Sequence, residues 1–291
     1  MDTILTAYSE YFGYLISEVT LNYDYKPWYQ NYFYGLIIIS LVVWSLEMMF
    51  PWRKRQSAIR KDFWLDGFYM FFNFFIFGFA ITGLYAALGS LFGSFGITLQ
   101  SLSLIDLTSV PPWAGLLIFF ILNDFVQWFT HVLLHRFSIF WRFHRVHHSV
   151  VEMGFAAHLR YHWMENLLYK PLKTLAVMLI GGFEPHQAFF VHFIAITIGH
   201  LNHANIRITW GPLKYLINNS VMHLYHHAKE LPTSKAMGVN FGISLSLWDY
   251  IFKTNYIPQS EDGTYELGFD GIEKFPKHSF FKQLFVGFGK D

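Results

Sequence analysis

The sequence predicts an all-α fold: a multi-pass transmembrane helical bundle with a cytosolic helical cap that carries histidine boxes. Three observations predict it. Hydrophobic residues make up 53% of the 291-residue chain and charged residues 14%, against about 25% charged in typical soluble domains. Apolar runs close to the ~20 residues needed to cross a bilayer recur through the first half. Histidines recur at i, i+3 and i+4, the spacing that puts side chains on one side of a helix. Residues 1–291 read as a single integral membrane domain, with its N-terminal transmembrane segments within 32–135. Long apolar runs together with asymmetric loop charge disfavour a soluble helical protein with an apolar core.

The elements follow in order. Residues 1–30 mix acids and aromatics. They lack the basic start and compact apolar run of a cleavable signal peptide, so they read as an interfacial or short extracellular segment. The first span is "YFYGLIIISLVVWSLEMMF" (32–50), whose only charge is Glu47 near its end. The second, 63–92, is long enough to span with tilt or with an interfacial end. The third, 113–135, is apolar at its start and polar towards its end. Two shorter apolar stretches, 167–182 and 186–203, are separated by Gly181, Gly182 and Pro185. They predict a helical hairpin that crosses or dips into the membrane and returns. The polar tail, 258–291, with a short amphipathic end, is expected on the cytoplasmic membrane surface.

Loop charge sets the orientation. The loop 51–62 carries Arg53, Lys54, Arg55, Arg60 and Lys61, whereas the only charge in 93–112 is Asp106. The positive-inside rule therefore places 51–62 in the cytoplasm and the N-terminus outside. The third span then runs inward and ends near His135, so every clustered histidine falls at or beyond the cytoplasmic boundary. The chain end carries no retrieval signal, which favours a bacterial inner membrane over the endoplasmic reticulum.

Composition also excludes functions. A net charge of +1 offers no basic excess to neutralise phosphates, so nucleic acid is not an expected partner. The chain has no cysteine, which removes disulfides, thiolate nucleophiles and cysteine-bound zinc or iron–sulfur sites. Any metal must be held by His, Asp, Glu or Asn.

Of the 15 histidines, most lie between 131 and 227. His131 and His135 form an i, i+4 pair at the end of the third span. His144, His147 and His148 ("HRVHH") form an i, i+3, i+4 trio, and His223, His226 and His227 ("HLYHH") form another. Imidazole is the commonest metal-binding side chain, and eight such donors are too many for one metal and suit two. His203, in "GHLNHANI", is a ninth candidate, and His200 and His162 are further candidates to complete a shell. Asp124 shares the face of His131 and His135 but lies about 10 Å up the helix from His131. It is therefore expected to accept from an imidazole N–H and fix that ring, rather than to ligate. His158, His186, His192 and His278 are set aside as structural or interfacial. A two-metal centre at the mouth of a membrane bundle suits oxidative attack on an unactivated C–H bond of a lipid, chemistry that needs an oxygen-activating metal. The alternative is a histidine-rich membrane metal transporter or metal-binding protein without oxidase activity. That would want ligands along a pore with acids at the midplane, and histidines gathered at one face disfavour it.

The order HxxxH (131–135), HxxHH (144–148) and HxxHH (223–227) resembles the fatty acid hydroxylase / sterol desaturase superfamily of membrane di-iron proteins. Asp124, seven residues before the first histidine, fits that pattern. So do "HRVHHS", "LRYHWME" (with Trp163 where many members carry proline), "NHANI" (202–206) and "NFGISLSLWDYIFKT" (240–254). Trp248 and Asp249 in the last block read as structural supports. The similarity covers 120–257, the expected catalytic region. The 223–227 box and "NHANI" are also similar to those of alkylglycerol monooxygenases, members that hydroxylate ether lipids. The resemblance implies a cytosol-facing centre of two iron ions held by the nine histidines, with O2 as co-substrate. It implies hydroxylation or desaturation of a fatty acyl, sterol, ether lipid or carotenoid-like substrate. The haem-binding HPGG motif of cytochrome b5 is absent from the chain, so electrons are expected from a separate donor of reductase, ferredoxin or cytochrome b5 type.

Overall fold

The computed structural model describes residues 2–97, 103–181, 185–258 and 265–289. They are almost entirely helical, as the sequence predicts. Helix α1 (Asp2–Thr20) precedes three helices long and apolar enough to cross a membrane: α2 (Tyr32–Met49), α3 (Phe63–Ser94) and α4 (Pro112–Arg136). After these come α5 (Ser138–His148), α6 (Trp163–Leu179), α7 (Pro185–His203), α8 (Ser220–His226), α9 (Leu247–Ile251) and α10 (Phe280–Gln283). The only named strands among the described residues are two-residue pieces, Ile105–Asp106 and Ile180–Gly181, paired in parallel.

Local chemistry sets the helix limits. α2 starts where the Asn31 side chain accepts from Tyr34 N at 2.8 Å, an N-cap that satisfies one of the free amides of the first turn. It stops before Pro51, because a residue preceding proline is steered out of the α region. α4 opens with Pro112, whose missing N–H costs nothing in the first turn. Along α2 and α4, Ile38, Leu41, Val42, Trp113, Leu117 and Phe129 remain exposed. Apolar surface on this scale needs a covering that water does not provide.

α3 is interrupted by a π-helical turn at Phe72–Ile76. There the Asn73 amide donates to the carbonyls of Leu159 and Tyr161 at 3.1 and 2.9 Å, joining the span to the segment between α5 and α6. Leu36, Val43, Met70, Phe75, Phe155 and Ile196 form the main core, so α2, α3 and α7 close around that segment.

Several details differ from the sequence reading. Residues 2–20 form a full helix that packs along α3, with the Tyr11 hydroxyl donating to Phe75 O at 2.9 Å. The two shorter apolar stretches are helical (α6 and α7), but the connection at 182–184 lies outside the described residues. The tail from 265 folds back on the bundle. The Tyr69 hydroxyl donates to Gln283 Oε1 at 2.8 Å, and Phe280 packs edge-on to Phe68 and Tyr69.

The basic loop 51–62 lies against the histidine-bearing half. Trp52 N donates to Asn205 O at 2.9 Å, Arg53 N to Asn205 Oδ1 at 2.9 Å, and the Arg53 guanidinium to Met153 O at 2.9 Å. Asn205 is two residues beyond His203, so the positive loop and the histidines lie at the same end of the bundle.

Candidate metal centre

Nine buried or nearly buried histidines converge in two groups. His131, His135, His144, His148 and His226 make one; His147, His203, His223 and His227 make the other. In each group one ring nitrogen per residue lies within 4.8 Å of every other. These are the nine candidates that the sequence reading put forward as ligands. The groups touch: the rings of His148 and His227 are 4.4 Å apart, and those of His147 and His227 are 4.6 Å apart.

Helical spacing explains the partition. The i, i+4 pairs 131/135 and 144/148 enter the first group, and 223/227 enters the second. The i+3 member of each trio crosses over, His147 to the second group and His226 to the first. Successive residues on a helix point about 100° apart, so one helical turn presents rings to both groups.

The nitrogens facing one another are Nε2 atoms. His131 and His144 approach at 3.2 Å, His135 and His148 at 3.1 Å, His203 and His223 at 2.9 Å, and His223 and His227 at 3.2 Å. The opposite nitrogen is held elsewhere in five rings. The Nδ1–H groups of His131, His147, His203 and His226 donate to the carbonyls of Phe241, Arg160, Gly199 and Val239 at 2.7–3.0 Å. His144 Nδ1 is 2.9 Å from Glu165 Oε2. A carbonyl only accepts, so the proton sits on Nδ1 and the Nε2 lone pair faces the centre. This is how metal-binding imidazoles are oriented. His226 Nε2 is buried and has no partner.

Burial disfavours protonation of these rings. It holds His147 down to about 3 and keeps His144, His148, His223, His226 and His227 well below the usual histidine range. Neutral imidazoles with convergent lone pairs fit a cation and fit little else. Burial likewise pushes Glu165 up to about 8, so its carboxylate ionises readily only beside added positive charge.

Asp124 does not orient an imidazole. Both nitrogens of His131 are engaged elsewhere, with Phe241 O and His144. Asp124 reaches across to the 240–246 loop, accepting from Ser244 N, Leu245 N and Trp248 Nε1 at 3.0–3.2 Å. Asp249 grips the same loop, accepting from Phe241 N and Gly242 N at 2.9 and 2.8 Å and from Trp128 and Thr254. The two carboxylates hold the loop whose Phe241 carbonyl orients His131, so Asp124 acts one link further out than its helical register suggests.

His162 and His200 stand outside both groups. His162 Nε2 is bound to Leu284 O at 3.0 Å, and its Nδ1 accepts from Met164 N. His200 is bound to Ser40 Oγ at 3.2 Å and to His158 Nδ1 at 2.9 Å. Neither ring is among the nine whose nitrogens converge. His158, set aside on sequence, stands between His200 and His203. It fits only because Gly199 has no side chain: a Cβ there would lie 2.2 Å from the His158 ring.

Sequence reasoning missed Glu165 and Arg160. Glu165, three residues after His162 in a block already singled out, was the legible signal. Arg160 is fully buried; its guanidinium pairs with Asp66 at 3.0 Å and donates to Ser149 Oγ at 3.1 Å. This anchorage fixes the carbonyl that orients His147.

A cavity of about 300 Å³ adjoins both groups. His131, His144, His147, His203 and His223 line one end. Phe74, Leu159, Ala195, Ile196 and Ile243 supply apolar wall, and Tyr169, Lys170, Lys173 and His192 line it further along α6 and α7.

Residues 116–254 match the family described as fatty acid hydroxylase. The chain is similar to an ornithine lipid hydroxylase of Rhizobium tropici, 29% identical over 153 residues that cover 52% of this chain and 44% of that protein. It is similar to an alkylglycerol monooxygenase of Xenopus tropicalis, 26% identical over 165 residues covering 56% and 35%. It is also similar to a very-long-chain aldehyde decarbonylase of Oryza sativa, 24% identical over 184 residues covering 57% and 28%. Each match spans less than half of the relative's own length. No solved structure matches the chain.

Proposed function

We propose that the protein, whose residues 116–254 match the fatty acid hydroxylase family, is an O2-dependent di-iron membrane oxidoreductase that hydroxylates or desaturates a C–H bond of a lipid. The observation that carries this reading is the pair of touching, buried, all-imidazole groups whose Nε2 lone pairs converge. His131, His135, His144, His148 and His226 would hold one iron, and His147, His203, His223 and His227 the other. Imidazole donors suit iron, and two adjacent shells would suit a pair of ions. Iron held there supplies oxygen activation and C–H oxidation, which no side chain performs alone.

The chain's own residues do the rest. Carbonyls at Arg160, Gly199, Val239 and Phe241 keep four rings in the Nδ1–H tautomer. Glu165 offers the acceptor for His144. The apolar cavity wall positions a hydrocarbon segment against the imidazoles and excludes water. The catalytic unit would comprise 120–257, carried on the spans within 32–135. Its active face is cytoplasmic in this reading, with a bacterial inner membrane favoured. Electrons would come from a separate reductase, ferredoxin or cytochrome b5-type donor.

The substrate would be fatty acyl, sterol, ether lipid or carotenoid-like, in line with the lipid-directed names of the hydroxylase and monooxygenase relatives. Metal analysis of the purified protein is expected to give two irons per chain. Lipid extracts of expressing cells should show a species with one added oxygen or one lost hydrogen pair, present only under O2 and absent for His147→Ala. One metal or fewer per chain in a preparation with intact histidines, or unchanged lipids, would overturn the proposal.

A further inference from the structure

The cavity beside the metal centre carries two cations that nothing in the centre uses. Lys170 and Lys173 lie on α6, five and eight residues after Glu165, and both line the cavity. At 1.5 Å per residue, Lys173 is about 12 Å along the helix from the carboxylate that touches His144. α7 marks the same depth: His192, whose surroundings include both lysines, is eleven residues before His203, or about 16 Å. One end of the cavity is therefore imidazole and the other is ammonium.

Neither lysine forms an ion pair or hydrogen bond among the described residues, and the one carboxylate whose charge acts on Lys173, Asp124, is already bound to the 240–246 loop. Lys170 lies over the Phe77 ring at 5.7 Å and Lys173 over the Tyr169 ring at 5.9 Å. Aromatic faces hold a cation in place but do not neutralise it. Lysines in apolar segments of a membrane protein are costly; they ordinarily pair, and they mark ligand paths when they do not. A third unsatisfied donor faces the same space: Gln127, one turn before His131, is 5% exposed and lines the cavity, and its Nε2 is buried without a partner.

We propose that Lys170 and Lys173 bind the anionic group of an amphiphile whose hydrocarbon segment lies along the cavity towards the imidazoles. The ligand class is a carboxylate- or phosphate-bearing lipid. A cavity of about 300 Å³ is at the small end for ligand sites, so it takes the reacting portion rather than a whole lipid. Calling this occupant the substrate rests on the function proposed above; the binding site itself does not.

The test uses the full-length protein in neutral phosphatidylcholine nanodiscs and three probes of equal chain length: palmitate, hexadecyl phosphate and hexadecanol. Wild-type protein is expected to bind at least one of the two anions about tenfold or more tighter than the alcohol. The anion preferred tells which headgroup the site takes. K170M/K173M should bring both anions to the level of hexadecanol while leaving hexadecanol binding and metal content unchanged. K170R/K173R should retain the preference. Equal binding of all three probes by wild type, or a preference that survives in K170M/K173M, overturns the proposal. Should K170M/K173M fail to fold, the wild-type ratio and the arginine variant decide. A protein that selects anions yet oxidises no lipid would refute the oxidative function and leave this site standing; one that oxidises lipid without selecting anions would do the reverse.

Discussion

Glu165→Gln separates the two halves of the centre. Glu165 is 2% exposed and serves two groups with its two oxygens: Oε2 is 2.9 Å from His144 Nδ1, and Oε1 accepts from His162 N at 3.1 Å. Glutamine has the same shape but one acceptor oxygen. If the amide NH2 faces His144, the ring is driven to the tautomer that accepts at Nδ1 and carries its proton on Nε2. That nitrogen then cannot ligate. Loss of such an outer partner typically lowers metal affinity about 10- to 100-fold, or roughly 1.4–2.7 kcal/mol. The effect should be confined to the group containing His144, because Glu165 hydrogen-bonds none of His147, His203, His223 and His227. The assay is a chelator titration of metal-loaded protein with metal per chain read by mass spectrometry. The variant should release one metal at a chelator concentration about 10- to 100-fold lower than wild type and the other at the wild-type concentration. Simultaneous release at the wild-type concentration, or equal weakening of both, would refute the tautomer argument.

The partition of the central trio predicts that His147→Ala and His148→Ala each remove one metal of two, but from different groups. Metal counting, with the E165Q background identifying the weakened site, tells them apart; identical residual sites would contradict the structure. Asp249→Ala strands two buried loop amides and the Trp128 indole N–H. It should cost about 3–5 kcal/mol and lower the melting temperature sharply, with Asp249→Asn milder. Metal-free protein should lose stability as pH falls below about 6.5. There the unfolded histidines take up protons while His147, held down to about 3 in the fold, does not. Each such ring contributes a loss of about 1.4 kcal/mol per pH unit. Thermal unfolding of the metal-free protein between pH 7.5 and 5.5 checks this, and a flat profile would argue that the rings are not buried neutral.

The spans and the nine histidines were legible because both are written in short-range periodicity. An apolar run of helical length is its own signal, and i, i+4 spacing names the rings that share a face. The partners of those rings were not legible. Asp124 and Ser244 are 120 positions apart, and His131 and Phe241 are 110 apart. Four of the groups that set ring tautomers are backbone carbonyls, which every residue possesses. Helical register puts Asp124 on the face of His131 about 10 Å up the helix, yet its carboxylate is bound to a loop that no local pattern connects to it. The π-helical turn that lets Asn73 reach Leu159 and Tyr161 is likewise set by tertiary contact.

The swap of His147 and His226 also bears on how the two groups are coupled. Had each HxxHH box served a single group, the two sites would be separable, and movement of α5 against α8 would change their spacing. Instead His147 sits with His203, His223 and His227, and His226 sits with His131, His135, His144 and His148. Each short helix therefore contributes to both sites, and displacing either one disturbs both. The groups are also tethered directly: His147 and His148 are adjacent in sequence, and both rings pack on His227, at 4.6 and 4.4 Å. Two ions held this way would keep a spacing fixed by one helical turn rather than by loop geometry.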